Sequence, residues 1–591
     1  MKDFIKMTLA TLTGLCIFIV GTTIISVIIL AGALAIISTD TPTMPDKCIL
    51  KVDMSTVILT EQSRETDPFT SLQGGQVISQ LGVFDATRAI EAAAYDPAIK
   101  YLYLKPDAVT GGPAQIEEFR RAIANFRAKG KAVISYIENP TNGGMYLASA
   151  GDKIYMTPYS GGINMFNGMS SQLIFLKDIL DKLEVRIQLI RHGKYKSAGE
   201  MFIRNSSSKE NLEQNRQMIA SMWESWAEAI ASARGISVDG LNRMLDNLEL
   251  NSPEDFLEKG LVDQLLTRED LKSQLTDLYV AERFEQVKAI SIQDYSKIKA
   301  SQATVSKDKI AIIYIDGNIM DGDMKQQVSG DRFAEIIAEI RKDTSVKAAI
   351  LRVNSPGGSV LAAEKIKEEV DRLGERIPVI ASFSNYAASG GYWISAAADY
   401  IYADACSLTG SIGVFSLIPD FGNTLKNKLN INVTTVKSNA HADMYTLLRP
   451  LDGKEIEAMQ DNIEAVYDRF LQVVAEGRDM SKEDVDALGQ GRIWTGREAT
   501  ENQLVDQIGG LHDALMHACL ELADSSGMSK VEIVEYPKPQ TGLELFLESF
   551  KSTQNIFSGT PVENVEKAFC NFDASRSGQI YARMPYEIII R

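Results

Sequence analysis

Histidine, cysteine and net positive charge are all scarce in this chain. Its four histidines are His192, His441, His512 and His517. None is spaced with carboxylates as metal ligands are, so no metal centre is implied. The five cysteines, Cys16, Cys48, Cys406, Cys519 and Cys570, are widely separated and form no CxxC pair. That excludes both a zinc site and a disulfide framework as the organising device. Lys and Arg number 61 against 78 Asp and Glu, a net charge of −17 with no basic patch. Nucleic acid is therefore not an expected partner. No cofactor is implied either.

Charge is missing altogether from residues 7–39, "MTLATLTGLCIFIVGTTIISVIILAGALAIIST". A spanning helix needs about 20 apolar residues, and a cleavable signal has a core of about 7–15. The run exceeds both, which favours an uncleaved anchor, although Ala33-Leu34-Ala35 resembles a cleavage site. Lys2 and Lys6 precede the run and Asp40 follows it. That asymmetry places the N-terminus inside and the bulk of the chain outside.

At 591 residues the chain is too long for one core. An internal repeat divides it. "AAAYDPAIKYLYL" matches "AEIRKDTSVKAAILRV", with Asp96 falling on Asp343 and Lys100 on Lys347. "YLASAGDKIYM" matches "WISAAADYIYA", with Asp152 on Asp399, also 247 residues apart. Later, "KLEVRIQLI" matches "KLNINVTTV" at an offset one shorter. In each copy short Val/Ile/Tyr-rich runs alternate with helical-period segments, the pattern of βαβ units around a parallel sheet. The expected division is an anchor at 1–46, a first repeat at 47–300, a second at 301–540, and a tail at 541–591 that matches nothing in the repeat.

Comparing the copies isolates the chemistry. Ser389, in "SNYAASGGYWIS", falls on Asn142 in "NPTNGGMYLAS"; the glycine pair is kept and the hydroxyl is not. Either residue would serve as a helix cap. Only serine would serve as a nucleophile, and it then needs a base. His512 and His517 lie in an amphipathic helix; His192 and His441 remain open as bases. Lys196, in "RHGKYKSAGEMFIRN", follows a strand-like run and sits among small and apolar residues. Burial would make its amine a base. Its repeat partner is Ala442, or Asp443 one residue on. Each copy thus keeps what the other lacks, which suggests one site shared between them. The glycine pair of "RVNSPGGSV", duplicated as Gly111-Gly112, suits an oxyanion site beside a helix N-terminus. Ser411 in "LTGSIGVF" is placed either to hold the lysine or merely to make a turn.

"VNSPGGS", "SNYAASGGYWIS", "LTGSIGVF" and "YKSAGEMFIRN" together resemble signal peptide peptidase A in its double-length, membrane-anchored bacterial form. The resemblance covers roughly residues 1–540. It implies an α/β fold of two tandem ClpP/crotonase-like domains behind one transmembrane helix. By motif match it implies Ser389 as nucleophile, Lys196 as general base, Ser411 as the lysine-orienting residue, and Gly357 and Gly358 in the oxyanion hole. It further implies a homotetramer in the bacterial inner membrane, catalytic part outside the cytoplasm, degrading leftover signal peptides with a Ser/Lys dyad. Two alternatives stand beside it: a crotonase-type acyl-CoA enzyme and a non-catalytic membrane scaffold with a vestigial site.

Overall fold

The computed structural model describes residues 42–64, 78–302, 305–324, 327–522, 531–539 and 579–584, with most of an apolar helix at Lys6–Ile24. That helix of 19 residues is long and apolar enough to cross a membrane. Cys16, Cys570, the Ala33-Leu34-Ala35 triplet and all of the tail except 579–584 lie outside the described residues.

Two sheets share a core of six parallel strands, to which the second adds Leu408–Gly410 and, antiparallel to it, Ile493–Thr495. The first runs Gln264–Leu265, Lys153–Met156, Val133–Ile137, Ile99–Lys105, Cys48–Asp53, Ala289–Ser291, all parallel. The second runs Gln507–Ile508, Tyr400–Ala403, Val379–Ala388, Val346–Ser355, Lys309–Asp316, Glu532–Tyr536 in the same parallel order. The central strands are continuous apolar runs because helices cover both faces. In Lys309–Asp316, for instance, the six inner residues are all buried.

The long helices are duplicated as well. Lys209–Arg234 is capped by Ser208 and Gly453–Arg478 by Asp452, each 26 residues long. In both caps a side-chain oxygen accepts an otherwise unpaired N–H of the first turn.

A third sheet belongs to both copies. Its order is Val328–Ser329, Ile319–Met320, Gly357–Ser359, Tyr581–Arg583, Val414–Asp420, Arg186–His192. The last strand comes from the first copy and pairs antiparallel with Val414–Asp420 of the second. Tyr581–Arg583, from the C-terminal tail, lies between the glycine strand and Val414–Asp420.

The copies are also locked by buried charge. Arg352, fully buried, donates to Glu61 at 2.7 Å and to Ser382 Oγ at 2.9 Å, and pairs with Glu118. Arg121 pairs with buried Asp404 at 2.7 Å, and Glu117 accepts from the Cys406 N–H at 3.0 Å. A fully desolvated guanidinium is tolerated only because it has such partners.

Candidate active site

Strand Val379–Ala388 runs into the short helix Gly390–Ser395, and Ser389 is the junction. Its backbone sits at φ 56°, ψ −113°, a region that costs a side-chain-bearing residue energy. Two bonds hold it there. Its N–H donates to Gly410 O at 2.8 Å, and its carbonyl accepts from Trp393 N–H at 2.8 Å. The hydroxyl makes no capping bond. In the first copy capping falls to Thr141, whose Oγ1 accepts from Gly144 N–H at 2.9 Å.

Lys196 reaches this turn from the other copy. Strand Arg186–His192 carries the chain across, and Tyr195 N–H donates to Gln490 O at 2.9 Å as it turns. Gly491, at φ 79°, allows the close approach; a Cβ there would stand 2.5 Å from the Lys196 nitrogen. The Lys196 side chain is fully buried. Its Nζ is 2.8 Å from Ser389 Oγ, 2.9 Å from Ser411 O and 3.0 Å from Ser411 Oγ. Among the described residues no carboxylate lies within ion-pair distance of it. Burial without a counter-charge pushes its pKa well below that of a free lysine.

That geometry has a chemical consequence. A neutral amine has two hydrogens and one lone pair. Donating both hydrogens to the two Ser411 oxygens leaves the lone pair for the Ser389 hydroxyl proton. Ser411 is itself held at φ 50°, with its N–H donated to Arg492 O at 2.6 Å.

The glycine strand completes the surroundings. Gly357 takes φ 97°, and a Cβ on it would stand 2.2 Å from Ala582 O and 2.6 Å from Gly390 N. Its N–H is already donated, to Ser355 Oγ at 3.2 Å. Gly358 lies opposite Ala582 in the antiparallel pair. The two glycines therefore differ: Gly357 supplies the turn and the clearance, while the Gly358 N–H lies close to Gly390. The tail strand rests over this spot, with Tyr581, Ala582, Arg583 and Met584 all buried.

The histidines are engaged elsewhere. His192 Nδ1 lies 2.6 Å from Glu464, and its ring stacks on Tyr467. His441 lies 2.9 Å from Glu455 and 3.9 Å from Asp452, a grouping that sequence spacing did not reveal. Glu455 is bound through both oxygens by Arg449. His517 is half-buried against Tyr400 and Tyr402.

Sequence reasoning missed the Arg352 network, the Gly491 clearance and the tail strand. Only the first left a signal: a lone arginine inside the apolar run "KAAILRVN". A charge in a buried strand demands partners.

A duplicated α/β protein whose buried lysine contacts a strained serine at a strand-to-helix turn is built as a hydrolase. The model of peptidase family S49 matches residues 125–281 and 371–524, one stretch in each copy, and the chain belongs to that family. It is 37% identical to "Protease 4" of Haemophilus influenzae over 474 residues, 78% of this chain and 76% of that one. Identity to "Protease 4" of Salmonella typhi is 34%, over 80% of this chain and 76% of the relative. Identity to "Serine protease SPPA, chloroplastic" of Arabidopsis thaliana is 31%, over 78% and 68%. The chain is thus a serine protease of family S49. The acyl-CoA enzyme and the inert scaffold find no support in these likenesses.

Proposed function

We propose that this chain is a membrane-anchored endopeptidase in which Lys196 of the first copy activates Ser389 of the second. The observation that carries the reading is the 2.8 Å contact between Nζ and Oγ, made by a buried amine with no carboxylate partner among the described residues. Neutral Lys196 takes the Ser389 proton as Oγ bonds to the scissile carbonyl carbon. Ser411 holds the amine by accepting its two hydrogens. The oxyanion is stabilised by backbone N–H groups beside Gly358, in the space Gly357 clears. The Lys196 proton then passes to the leaving amine, and water hydrolyses the acyl-enzyme through the same base.

The tail strand supports peptide as the substrate. It lies antiparallel on Gly357–Ser359 with its Ala582 carbonyl beside Gly390. An extended substrate would add to the same edge. One relative of this chain is named a putative signal peptide peptidase, 36% identical over 40% of this chain. Residual signal peptides at the bacterial inner membrane are the substrates that fit an apolar anchor. The working part then lies outside the cytoplasm, in a homo-oligomer.

The test is labelling with a fluorophosphonate probe, together with cleavage of a synthetic signal peptide. Both should be lost in Ser389→Ala and in Lys196→Ala chains that remain folded. Full labelling of Lys196→Ala would overturn the lysine's role.

A further inference from the structure

Two charges stand at the root of Lys196, and the chemistry above uses neither. Arg191, in strand Arg186–His192, donates to the Lys196 carbonyl at 2.6 Å. The same guanidinium nitrogen lies 3.4 Å from Glu200 Oε1. Glu200 opens the short helix Glu200–Ile203, and its side chain is 1% exposed. Glu200 Oε2 accepts from the Ser208 N–H at 3.1 Å and from Asn211 Nδ2 at 3.2 Å. Asn211 Oδ1 in turn accepts from the Ser197 hydroxyl at 3.0 Å. The lysine is therefore gripped through residues on both sides of it in sequence.

A grip alone does not call for ions. Apolar groups of similar volume often hold as well as a buried ion pair. Comparing the copies narrows the reason. The offset of 246 that sets Lys196 on Ala442 also sets Arg191 on Lys437 and Glu200 on Thr446; one residue on, Glu200 falls on Leu447. The copy without the amine keeps a cation and lacks this carboxylate. There Lys437 pairs with Asp443 instead, at 3.0 Å.

The requirement lies at Nζ. The guanidinium on the Lys196 carbonyl stands about one side-chain length from that atom, which must be neutral to take the Ser389 proton. A lone cation there would disfavour the ammonium, and a lone carboxylate would favour it. Held together, the two largely cancel, which leaves burial to set the amine, as its lowered pKa reflects. Other elements packed here bring charges too. Arg492 lies over the rings of Tyr195 and Trp494, and Lys194 lies over Tyr195. Glu213 lies 3.5 Å from the Tyr195 hydroxyl, and His192 is engaged by Glu464. The tail brings Arg583, opposite Gly357. Of all these, Arg191 is the one bonded to the lysine.

We propose that Arg191 and Glu200 are a charge-balanced pair that positions Lys196: Arg191 fixes its backbone, and Glu200 cancels the field that Arg191 would impose on Nζ. The inference rests on Lys196 being the base. Neither residue touches the reacting atoms, so both act through the lysine.

The experiment follows kcat/KM for a synthetic signal peptide against pH, with the full chain in detergent. Activity climbs along an acid limb as Lys196 loses its proton. Glu200→Gln keeps an acceptor for the Ser208 N–H and leaves Arg191 uncancelled. Its limb should move to lower pH. A unit charge at that distance, in an effective dielectric of about 20, should raise activity on the limb, relative to the plateau, about threefold or more above wild type. Arg191→Met leaves Glu200 uncancelled, and its limb should move to higher pH with a loss of similar size. Arg191→Met/Glu200→Gln should bring the limb back to the wild-type position, and Arg191→Lys should leave it there, whatever either does to the plateau. A purely structural role would lower the plateau and leave every limb in place. That result, or movement of both single variants in the same direction, would overturn the proposal. If Arg191→Met does not fold, Glu200→Gln decides alone: a limb moved to lower pH supports the pair, and a fixed limb overturns it. Lys196→Ala is measured beside them. An active Lys196→Ala chain refutes the base itself, whereas an inactive one with unmoved limbs refutes only the pair.

Discussion

The two copies share a turn and divide its use. In the first, Asn142 follows a capping threonine, and its side chain is spent on the backbone. Nδ2 donates to Gly168 O at 2.8 Å, and Oδ1 accepts from Gly168 N–H at 3.1 Å. In the second, the same turn leaves the Ser389 hydroxyl free of the backbone and aimed at an amine from the other copy. The first copy keeps the lysine-bearing strand. The second has the same segment, but it carries Ala442 and lies exposed. Each copy thus carries what the other lacks, and the proposed site lies at their contact.

The sharpest way to break this comparison is to remove either contributor. Ser389→Ala and Lys196→Ala should each lower kcat/KM by about 10⁴-fold or more, the scale seen when one member of a catalytic unit is deleted. Lys196→Arg should fail as badly, since a guanidinium stays protonated. His192→Ala and His441→Ala, both engaged by carboxylates away from Ser389, should keep most activity. A histidine variant as damaging as Ser389→Ala would shift the base from lysine to imidazole.

The next largest effect concerns the lock between the copies. Arg352→Met leaves Glu61 and Glu118 buried without their cation. Breaking such a group costs about 3–5 kcal/mol. Denaturant unfolding should register a loss of that size. A variant within about 0.5 kcal/mol of wild type would show that the Arg352 group contributes little to holding the copies together.

How much of this was readable beforehand follows from what kind of contact each feature is. The parallel sheets were legible because buried strands advertise themselves as apolar runs. The candidate residues Ser389, Lys196 and Ser411 were legible because comparing copies exposed what each had lost and because their motifs resemble a family's. The Arg352 network was not, since its partners come from three segments that only the fold brings together. Nor was the tail strand: "YAR" at 581–583 has no periodicity of its own and is placed by the glycine edge it pairs with. The difference between Gly357 and Gly358 depends on one hydroxyl, Ser355, two residues away. Sequence spacing alone does not reveal such a bond.

Acid should then sharpen the contrast between lysine and the rest. Lys196 is driven down by burial, so kcat/KM should climb about tenfold per pH unit below its folded pKa and level off well under 10.4. Stability carries the same sign. Between the lowered folded pKa and about 10.4 the unfolded chain binds the extra proton, so stability rises with pH across that window. Lys196→Met should remove that part of the slope. An identical pH dependence of unfolding in both chains would mean that the folded lysine stays charged.

A smaller effect is expected from the tail. Tyr581, Ala582, Arg583 and Met584 are at most 6% exposed and lie on the edge a peptide would use. A chain ending at residue 578 should bind peptide substrates several-fold more tightly, because apparent affinity scales with the fraction of open groove. KM should fall while kcat holds. A raised KM would instead make the tail part of the binding surface.

The smallest expected effect is the most discriminating between turn and amine. Asn142→Ser restores the hydroxyl to the first copy's turn, where Gly143 and Gly144 match Gly390 and Gly391. It does not restore a base, because the matching segment of the second copy offers Ala442 and is exposed. Placed in a Ser389→Ala chain, it should give no cleavage and no fluorophosphonate labelling. Its cost should be about 1 kcal/mol, from the lost side-chain bonds to Gly168. If residue 142 became labelled without a lysine nearby, the strained turn would be enough to activate a serine. The division of labour drawn between the copies would then fail at its central point.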